Sequence, residues 1–184
     1  MSRSQGSLAV RVAACMAFIV STASSAYAAD REIKRGEYLV RTIGCTDCHT
    51  AGSLIGRPNM KLYLAGSDVG FAVPGLGVFV GPNLTPDKNT GLGNWTKEQI
   101  VVALTTGVRP DGRILAPVMP WMDLAHLTKD DATAIAVYLK SLPPQKRATP
   151  GPFGPTEKPT VFVMSVTPPD EYVKLAKPET PAGK

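Results

Sequence analysis

Side chains that bind metals or form disulfides are scarce in this chain of 184 residues, which has three cysteines and two histidines. A tetrahedral zinc site takes four nitrogen or sulfur ligands. Cys45, Cys48 and His49 fall together, and closing a zinc site around them would require Cys15 or His126. Zinc ligands are therefore poorly supplied. A thioredoxin-like dithiol is also disfavoured, because no strand-helix-strand pattern surrounds the two neighbouring cysteines.

Clusters of positive charge are also missing, although the formal net charge is +5. No run of lysine or arginine with interleaved aromatic residues occurs, so the sequence predicts no nucleic-acid binding. The mild basic excess instead allows weak docking to an acidic face of a partner protein.

No apolar run approaches the twenty or so residues that a membrane-spanning helix needs. The stretch from Val12 to Val20 has nine residues, follows two arginines and precedes Ala26-Tyr27-Ala28, which is the order expected of a secretory signal. We predict that residues 1–28 are a signal peptide cleaved after Ala28, and that the mature chain is periplasmic without a transmembrane segment. An uncleaved anchor and lipid attachment at Cys15 are the alternatives, but most of the apolar core follows that cysteine.

Residues Cys45-Thr46-Asp47-Cys48-His49 form the pattern C-x-x-C-H, which is the attachment signature of c-type haem. Two thiols a short turn apart can add to the two vinyl groups on one haem edge. The histidine that follows then lies under the iron as its proximal ligand. A structural disulfide between Cys45 and Cys48 would account for the thiols but not for His49. Because the pattern occurs once, we predict one covalently bound haem c.

Apolar residues recur at helical spacing in three segments, which are Arg31 to Gly44, Lys97 to Thr106 and Asp131 to Leu142. Thr96 with Gln99, and Thr128 with Asp131, are spaced as caps of helix N-termini. Residues 50–80 are rich in glycine and hold no helical period, which predicts an irregular wall of the haem pocket with room for a short hairpin. We therefore predict an all-α fold around one haem, with long irregular loops.

Prolines mark off the C-terminal part of the chain, beginning with Pro143-Pro144 at the end of the last helical segment. We predict a haem domain at residues 29–144 and a proline-rich C-terminal extension at residues 145–184. Within the extension, residues 160–166 are apolar and β-prone, and residues 170–177 suit a short helix with acids first and lysines last. The extension either packs back on its own domain or docks on a larger subunit.

Further segments complete a family pattern, and they are Gly36-Glu37-Tyr38-Leu39, Cys45 to Thr50, Pro82 to Asp87, Thr90 to Thr96, Gly107 to Gly112, Met119-Pro120 and Leu127 to Pro144. Through these segments, the sequence from Arg31 to Pro144 resembles the class I cytochrome c family. More narrowly, it is similar to the haem domains of periplasmic dehydrogenase-linked cytochromes, such as the cytochrome subunits of alcohol and gluconate dehydrogenases. The segment from Ala51 to Val80 is longer than in the smallest cytochromes c.

The resemblance implies a role for each residue of the haem site. Cys45 and Cys48 carry the thioethers, and His49 is the proximal ligand. Pro82 offers its carbonyl to the second ring nitrogen of His49, which fixes the ring and raises its basicity. Met119 is the distal ligand, and its thioether raises the reduction potential.

Three other side chains are rivals of Met119 as the distal ligand. They are Met60, Met122 and His126, the last of which would give a haem with two histidine ligands. The resemblance also implies that the first and last helices cross, with Gly36 near Tyr138. A close crossing would justify a mid-helix glycine, which costs about 1 kcal/mol relative to alanine.

The resemblance implies a single-electron carrier whose iron has both axial positions filled, and therefore no enzyme by itself. It would pass electrons between a periplasmic dehydrogenase and the respiratory chain or a terminal oxidase. Two alternatives stay open. The chain would be a fixed cytochrome subunit of a periplasmic dehydrogenase complex, or a haem enzyme in which Met119 leaves the distal position open.

Overall fold

A computed structural model describes residues 27–175, so nearly all of the predicted signal peptide, with Cys15, lies outside the described residues. This part of the chain forms six α-helices and three strands, which are α1 (27–43), α2 (Cys45–His49), β1 (Val69–Val73), β2 (Gly77–Val80), α3 (Lys97–Thr106), α4 (Trp121–Leu124), α5 (Lys129–Ser141), β3 (Phe162–Met164) and α6 (Pro169–Leu175). None of the helices within residues 27–175 has the length and apolar character needed to cross a membrane.

Both predicted helix caps are present at the start of the two central helices. At α3, the Gln99 amide donates to the Thr96 hydroxyl at 3.1 Å, and the Thr96 amide donates to the Gln99 side chain at 2.9 Å. At α5, the Asp131 amide donates to the Thr128 hydroxyl at 3.1 Å. Each cap satisfies an amide that has no partner inside the helix, so the polar pattern fixes where α3 and α5 begin.

The first and last helices of the domain cross at Gly36, as the resemblance implies. A Cβ built on Gly36 would clash with the carbonyl oxygen of Ala134 and lie 2.6 Å from the Cβ of Tyr138. Beside the crossing, Arg35 of α1 donates to the carboxylate of Asp131 at 2.7 Å. The missing side chain at residue 36 therefore lets the backbones of α1 and α5 approach closely.

The hydrophobic core lies between α1, α3, α4 and α5, with α3 packed on both α4 and α5. Its buried members are Leu39, Val40, Leu64, Ile100, Leu104, Leu124, Ala132, Ile135, Ala136, Tyr138 and Leu139. These residues come from the helical patterns seen in the sequence, with two exceptions: Leu64 lies in the glycine-rich segment, and Leu124 lies in the short helix α4, which the sequence does not predict. The core therefore reaches into the irregular part of the chain.

The prediction of an all-α fold is wrong, because the structure contains a three-stranded mixed sheet in the order β2-β1-β3. Strands β1 and β2 form an antiparallel hairpin, and β3 adds parallel to β1 with Val69 opposite Phe162. Valine and phenylalanine favour strands in both segments. The parallel pairing joins residues 93 positions apart, so no local pattern in the sequence indicates it.

The C-terminal extension begins by packing back on the domain. Phe153 is buried and exchanges two backbone hydrogen bonds with Val78 of β2, each of 2.9 Å. Further along, β3 falls inside the segment predicted to be β-prone, and α6 confirms the short helix with Asp170 and Glu171 in its first turn. All three side chains of β3 are exposed.

Candidate haem-binding site

The C-x-x-C-H segment forms the short helix α2, which follows α1 after a single residue. Gly44 separates the two helices with φ of +83°, a left-handed conformation that favours glycine. Cys45 and Cys48 stand three positions apart on this helix and therefore share a face. Both are free, half-buried thiols. The segment thus presents two thiols side by side, directly before the histidine.

The His49 ring is buried and held by one hydrogen bond. Its Nδ1 lies 2.8 Å from the carbonyl oxygen of Pro82. Because a carbonyl only accepts, Nδ1 donates its proton and Nε2 is left with a free lone pair. Burial lowers the pKa of His49, which favours the neutral imidazole that metal ions bind. The ring therefore has the tautomer and the protonation state of a metal ligand.

Burial disfavours the thiolate form of both cysteines. Burial raises the pKa of Cys45 to about 11 and also raises the pKa of Cys48. Dithiol oxidoreductases need the opposite shift, because the thiolate is their nucleophile. The surroundings of Cys45 and Cys48 thus argue against a redox-active dithiol.

Gly81 lets the Pro82 segment approach α2. A Cβ on Gly81 would clash with the carbonyl oxygen of Cys48 and lie 3.4 Å from Nδ1 of His49. Any side chain here would push the Pro82 carbonyl away from the ring. The sequence carried a signal for this residue in the Gly-Pro-Asn segment, but its role as a spacer follows only from the structure.

Leu64 lies in the segment predicted as an irregular wall of the haem pocket, but nothing in the sequence predicts its backbone conformation. It is fully buried, and its φ of +54° makes it the sole residue other than glycine with positive φ within residues 27–175. Its amide donates to the Thr50 hydroxyl at 3.0 Å, and its carbonyl accepts from Leu84 at 2.8 Å. Such a backbone conformation costs on the order of 1–3 kcal/mol and persists where neighbours fix it. These two bonds tie the residue after His49 to the segment after Pro82.

Met119 is the most buried of the four candidate distal ligands. It is half-buried and packs against the hydrophobic core, whereas Met60, Met122 and His126 are exposed. A tight turn holds it, because its amide donates to Ala116 at 2.9 Å and its carbonyl accepts from Trp121 at 2.8 Å. The ligand role of Met119 stays a prediction.

The loop around Met119 exposes apolar side chains to solvent. Ile114, Val118 and Met122 are exposed by 59%, 38% and 57%. Exposed apolar side chains close together in the sequence suit a place that another group covers. A haem fits the residues present, because it offers apolar faces to the loop and binds the nitrogen and sulfur donors that His49 and Met119 supply.

Comparison with known proteins defines the class. The family model for cytochrome c matches residues 33–143, which include α2, the core helices and Met119. The chain therefore belongs to the cytochrome c family, whose members hold covalent haem and transfer electrons. This confirms the prediction of an electron-transfer protein rather than an enzyme.

Individual relatives narrow the resemblance. The chain is 35% identical over 131 residues to the cytochrome c subunit of a quinone-type alcohol dehydrogenase from Gluconobacter oxydans (strain 621H), a match that covers 70% of this chain and 26% of that protein. It is 36% identical over 128 residues to the fructose dehydrogenase cytochrome subunit of Gluconobacter japonicus, covering 66% and 24%. A dihaem c-type cytochrome of Cereibacter sphaeroides is 33% identical over 117 residues, covering 64% and 38%. The matches thus cover between 24% and 38% of the length of these relatives.

Proposed function

We propose that this chain is a single-electron carrier that holds one haem c. Cys45 and Cys48 form the thioethers, His49 is the proximal ligand and Met119 is the distal ligand. The observation that carries the proposal is the hydrogen bond from Nδ1 of buried His49 to the carbonyl of Pro82. It prepares Nε2 for iron on the residue directly after two free thiols.

When bound, the haem supplies a one-electron couple between Fe(III) and Fe(II). The protein residues set the conditions for that couple. Pro82 fixes the orientation of the His49 ring, and Met119 packs against the hydrophobic core. A haem bound by both His49 and Met119 would have no open site for a substrate, and the Met119 thioether would favour its reduced state.

We propose the following organisation for the chain in the cell. Residues 1–28 direct export and are removed after Ala28, residues 29–144 form the haem domain, and residues 145–184 form the C-terminal extension. The carrier works in the periplasm, between a dehydrogenase as electron donor and the respiratory chain or a terminal oxidase as acceptor. The relatives support a dehydrogenase partner, since two of those described above are named as dehydrogenase cytochrome subunits.

A fixed place in a dehydrogenase complex is the second candidate. The apolar side chains of the C-terminal extension favour it, because Phe162, Val166 and Tyr172 are exposed by 67%, 98% and 64%. Side chains of this kind are common where a second protein covers a surface. The two candidates share the same haem site and differ in whether the partner stays bound.

Gentle extraction of the native protein, followed by size-exclusion chromatography with haem absorbance as the tracer, separates the two candidates. Elution at the size of one small domain supports the free carrier, and elution with a much larger chain supports the subunit. The ratio of haem to protein, from the alkaline pyridine spectrum, should be one. Binding of cyanide or carbon monoxide at native pH would contradict a filled distal position and favour a haem enzyme.

A further inference from the structure

Arg147 lies in the C-terminal extension, beyond the segment that matches the cytochrome c family. We propose that Arg147 is a positioning residue for His49. It acts through two peptide groups, one bonded to the carbonyl of His49 and one bonded to the carbonyl of Gly81 beside Pro82. We also propose that the charge of Arg147 raises the reduction potential of the haem. The inference rests on the proposed function, in which His49 binds the haem iron.

The guanidinium of Arg147 donates to three consecutive backbone carbonyls. Nη1 lies 3.1 Å from the oxygen of Ala65 and 2.6 Å from that of Gly66, and Nη2 lies 3.2 Å from that of Ser67. Arg147 is half-buried, and no carboxylate within residues 27–175 forms a salt bridge with it. Among the described residues, three backbone carbonyls therefore hold the cation.

Two of the three carbonyls belong to peptide groups whose amides donate further hydrogen bonds. The oxygen of Ala65 and the amide of Gly66 belong to one peptide group, and this amide donates to the carbonyl of His49 at 2.8 Å. The oxygen of Gly66 and the amide of Ser67 belong to the next peptide group, and that amide donates to the carbonyl of Gly81 at 2.9 Å. Hydrogen bonds in such chains polarise and strengthen one another. Arg147 thus acts on His49 and on the residue before Pro82.

The backbone of Gln145 and Arg147 holds the segment that follows Pro82, whose carbonyl accepts the hydrogen bond from His49. Asn83 follows Pro82, is 1% exposed, and donates from its amide group to the carbonyl of Gln145 at 2.7 Å. The amide of Arg147 donates to the Thr90 hydroxyl at 3.1 Å. We call the backbone of residues 145–147 the C-terminal strap, to which the exposed Lys146 side chain contributes no hydrogen bond within the described part of the chain. The strap fixes the segment that carries the Pro82 carbonyl, while the Arg147 guanidinium fixes the backbone of His49.

Gly66 is shaped for this contact. Its φ is +98°, and a Cβ there would clash with the methyl of Thr149 and lie 3.2 Å from Nη1 of Arg147. A side chain at residue 66 would thus displace Thr149, two residues beyond the strap, and crowd the guanidinium. Because Arg147 and Thr149 fill the space beside the backbone at Gly66, the contact with Arg147 is part of the local packing.

With His49 bound to the haem iron, a fixed positive charge linked to its backbone would favour the iron state with fewer positive charges. Fe(II) would then be stabilised over Fe(III), because a cation repels the extra charge of the oxidised iron. Removing the charge should lower the reduction potential. The two nitrogens of the Arg147 guanidinium that donate to the backbone form a planar fork of donors. Removing this fork should weaken the hydrogen bonds that the amides of Gly66 and Ser67 donate.

The test compares three variants of the full-length, haem-loaded protein with the wild type. Arg147→Met removes the charge and the fork, Arg147→Lys keeps the charge without the planar fork, and Lys146→Met removes an equal charge from an exposed neighbour. Spectroelectrochemical titration gives the potential, and NMR of the reduced protein gives the hydrogen exchange of the Gly66 and Ser67 amides.

For Arg147→Met we expect about a tenfold shift of the redox equilibrium toward Fe(III), which is about 59 mV for one electron. The two amides should exchange at least tenfold faster. Arg147→Lys should keep most of the potential but lose amide protection, and Lys146→Met should change neither. An unchanged potential with unchanged exchange in Arg147→Met would overturn the proposal.

Folding of the variant and haem loading of the wild type each lead to a further measurement. If Arg147→Met does not accumulate as folded protein, amide exchange in Arg147→Lys takes its place, and unchanged protection there overturns the proposal. If the wild type carries no covalent haem, the proposed function fails. In that case, exchange in the haem-free wild type and Arg147→Met still tests the strap: faster exchange supports the positioning contact, and equal exchange overturns it.

Discussion

Replacing Gly36 by alanine tests the crossing on which the domain is built. The new Cβ would meet the carbonyl of Ala134, which is backbone, and the Cβ of Tyr138 at 2.6 Å, so neither obstacle can rotate away. Overpacking of this kind typically lowers the free energy of unfolding by about 1–3 kcal/mol. Because one obstacle here is backbone, we expect a cost of about 3 kcal/mol. Alanine offsets part of this cost, because it favours the helix by about 1 kcal/mol relative to glycine. We therefore expect Gly36→Ala to lower the free energy of unfolding by about 2 kcal/mol.

Urea unfolding followed by circular dichroism measures this loss. With a slope of about 2 kcal/mol per molar urea, the midpoint should fall by about 1 M. Lys34→Ala is the matched control, because it places alanine on the exposed face of the same helix and breaks only a surface pair with Asp30. Its effect should stay below about 1 kcal/mol. A midpoint for Gly36→Ala equal to or above the wild type would refute the close crossing of α1 and α5.

Met119→Ala should lower the reduction potential and open the iron to cyanide, because the thioether that favours Fe(II) is lost; an unchanged potential in a spectroelectrochemical titration would remove Met119 from the ligand role. Deleting residues 155–184 should leave the haem absorbance spectrum native, whereas deleting residues 145–184 should perturb it, because the strap is then lost; identical spectra would show that the strap is dispensable. The hydrogen bond from Arg35 holds the pKa of Asp131 below its ordinary value of 3.8. The pair therefore stabilises the fold above about pH 4, and this contribution disappears as the pH falls through the lowered pKa. Asp131→Asn should flatten the acid side of a plot of unfolding free energy against pH, and an unaltered slope there would count against the pair.

The sequence predicts well those features that depend on neighbours along the chain. The haem attachment pattern, the caps at Thr96 and Thr128, and the apolar spacing of α5 each lie within a few residues, and local chemistry decides them. The bond between His49 and Pro82 spans 33 positions and became predictable only through the family resemblance.

Other features depend on contacts that no local pattern encodes. The segment 160–166 reads as β-prone, but its partner β1 cannot be named from the sequence, which is why the fold class was wrong. The left-handed backbone of Leu64 is held by Thr50 and Leu84 and has no signature in its residue type.

The C-terminal extension shows the same limit in functional terms. From the sequence alone, removal of residues 145–184 is expected to leave the haem spectrum native, because prolines set the extension apart. The bonds from Asn83 and Arg147 reverse that expectation for residues 145–147. An arginine in a proline-rich segment is expected to be solvated. Only the structure shows that Arg147 donates to three backbone carbonyls.

The exposed edge of the sheet also bears on how the protein behaves when concentrated. Strand β3 lies at the edge of its sheet, and the eight residues from Thr160 to Thr167 carry no charge. Uncharged edge strands are templates for pairing between molecules, which leads toward aggregation. Pro159 and Pro168 bracket this stretch and cannot donate to a ladder, so they act as gatekeepers on either side. We expect reversible self-association at high concentration, kept short by these two prolines and not extending into fibrils.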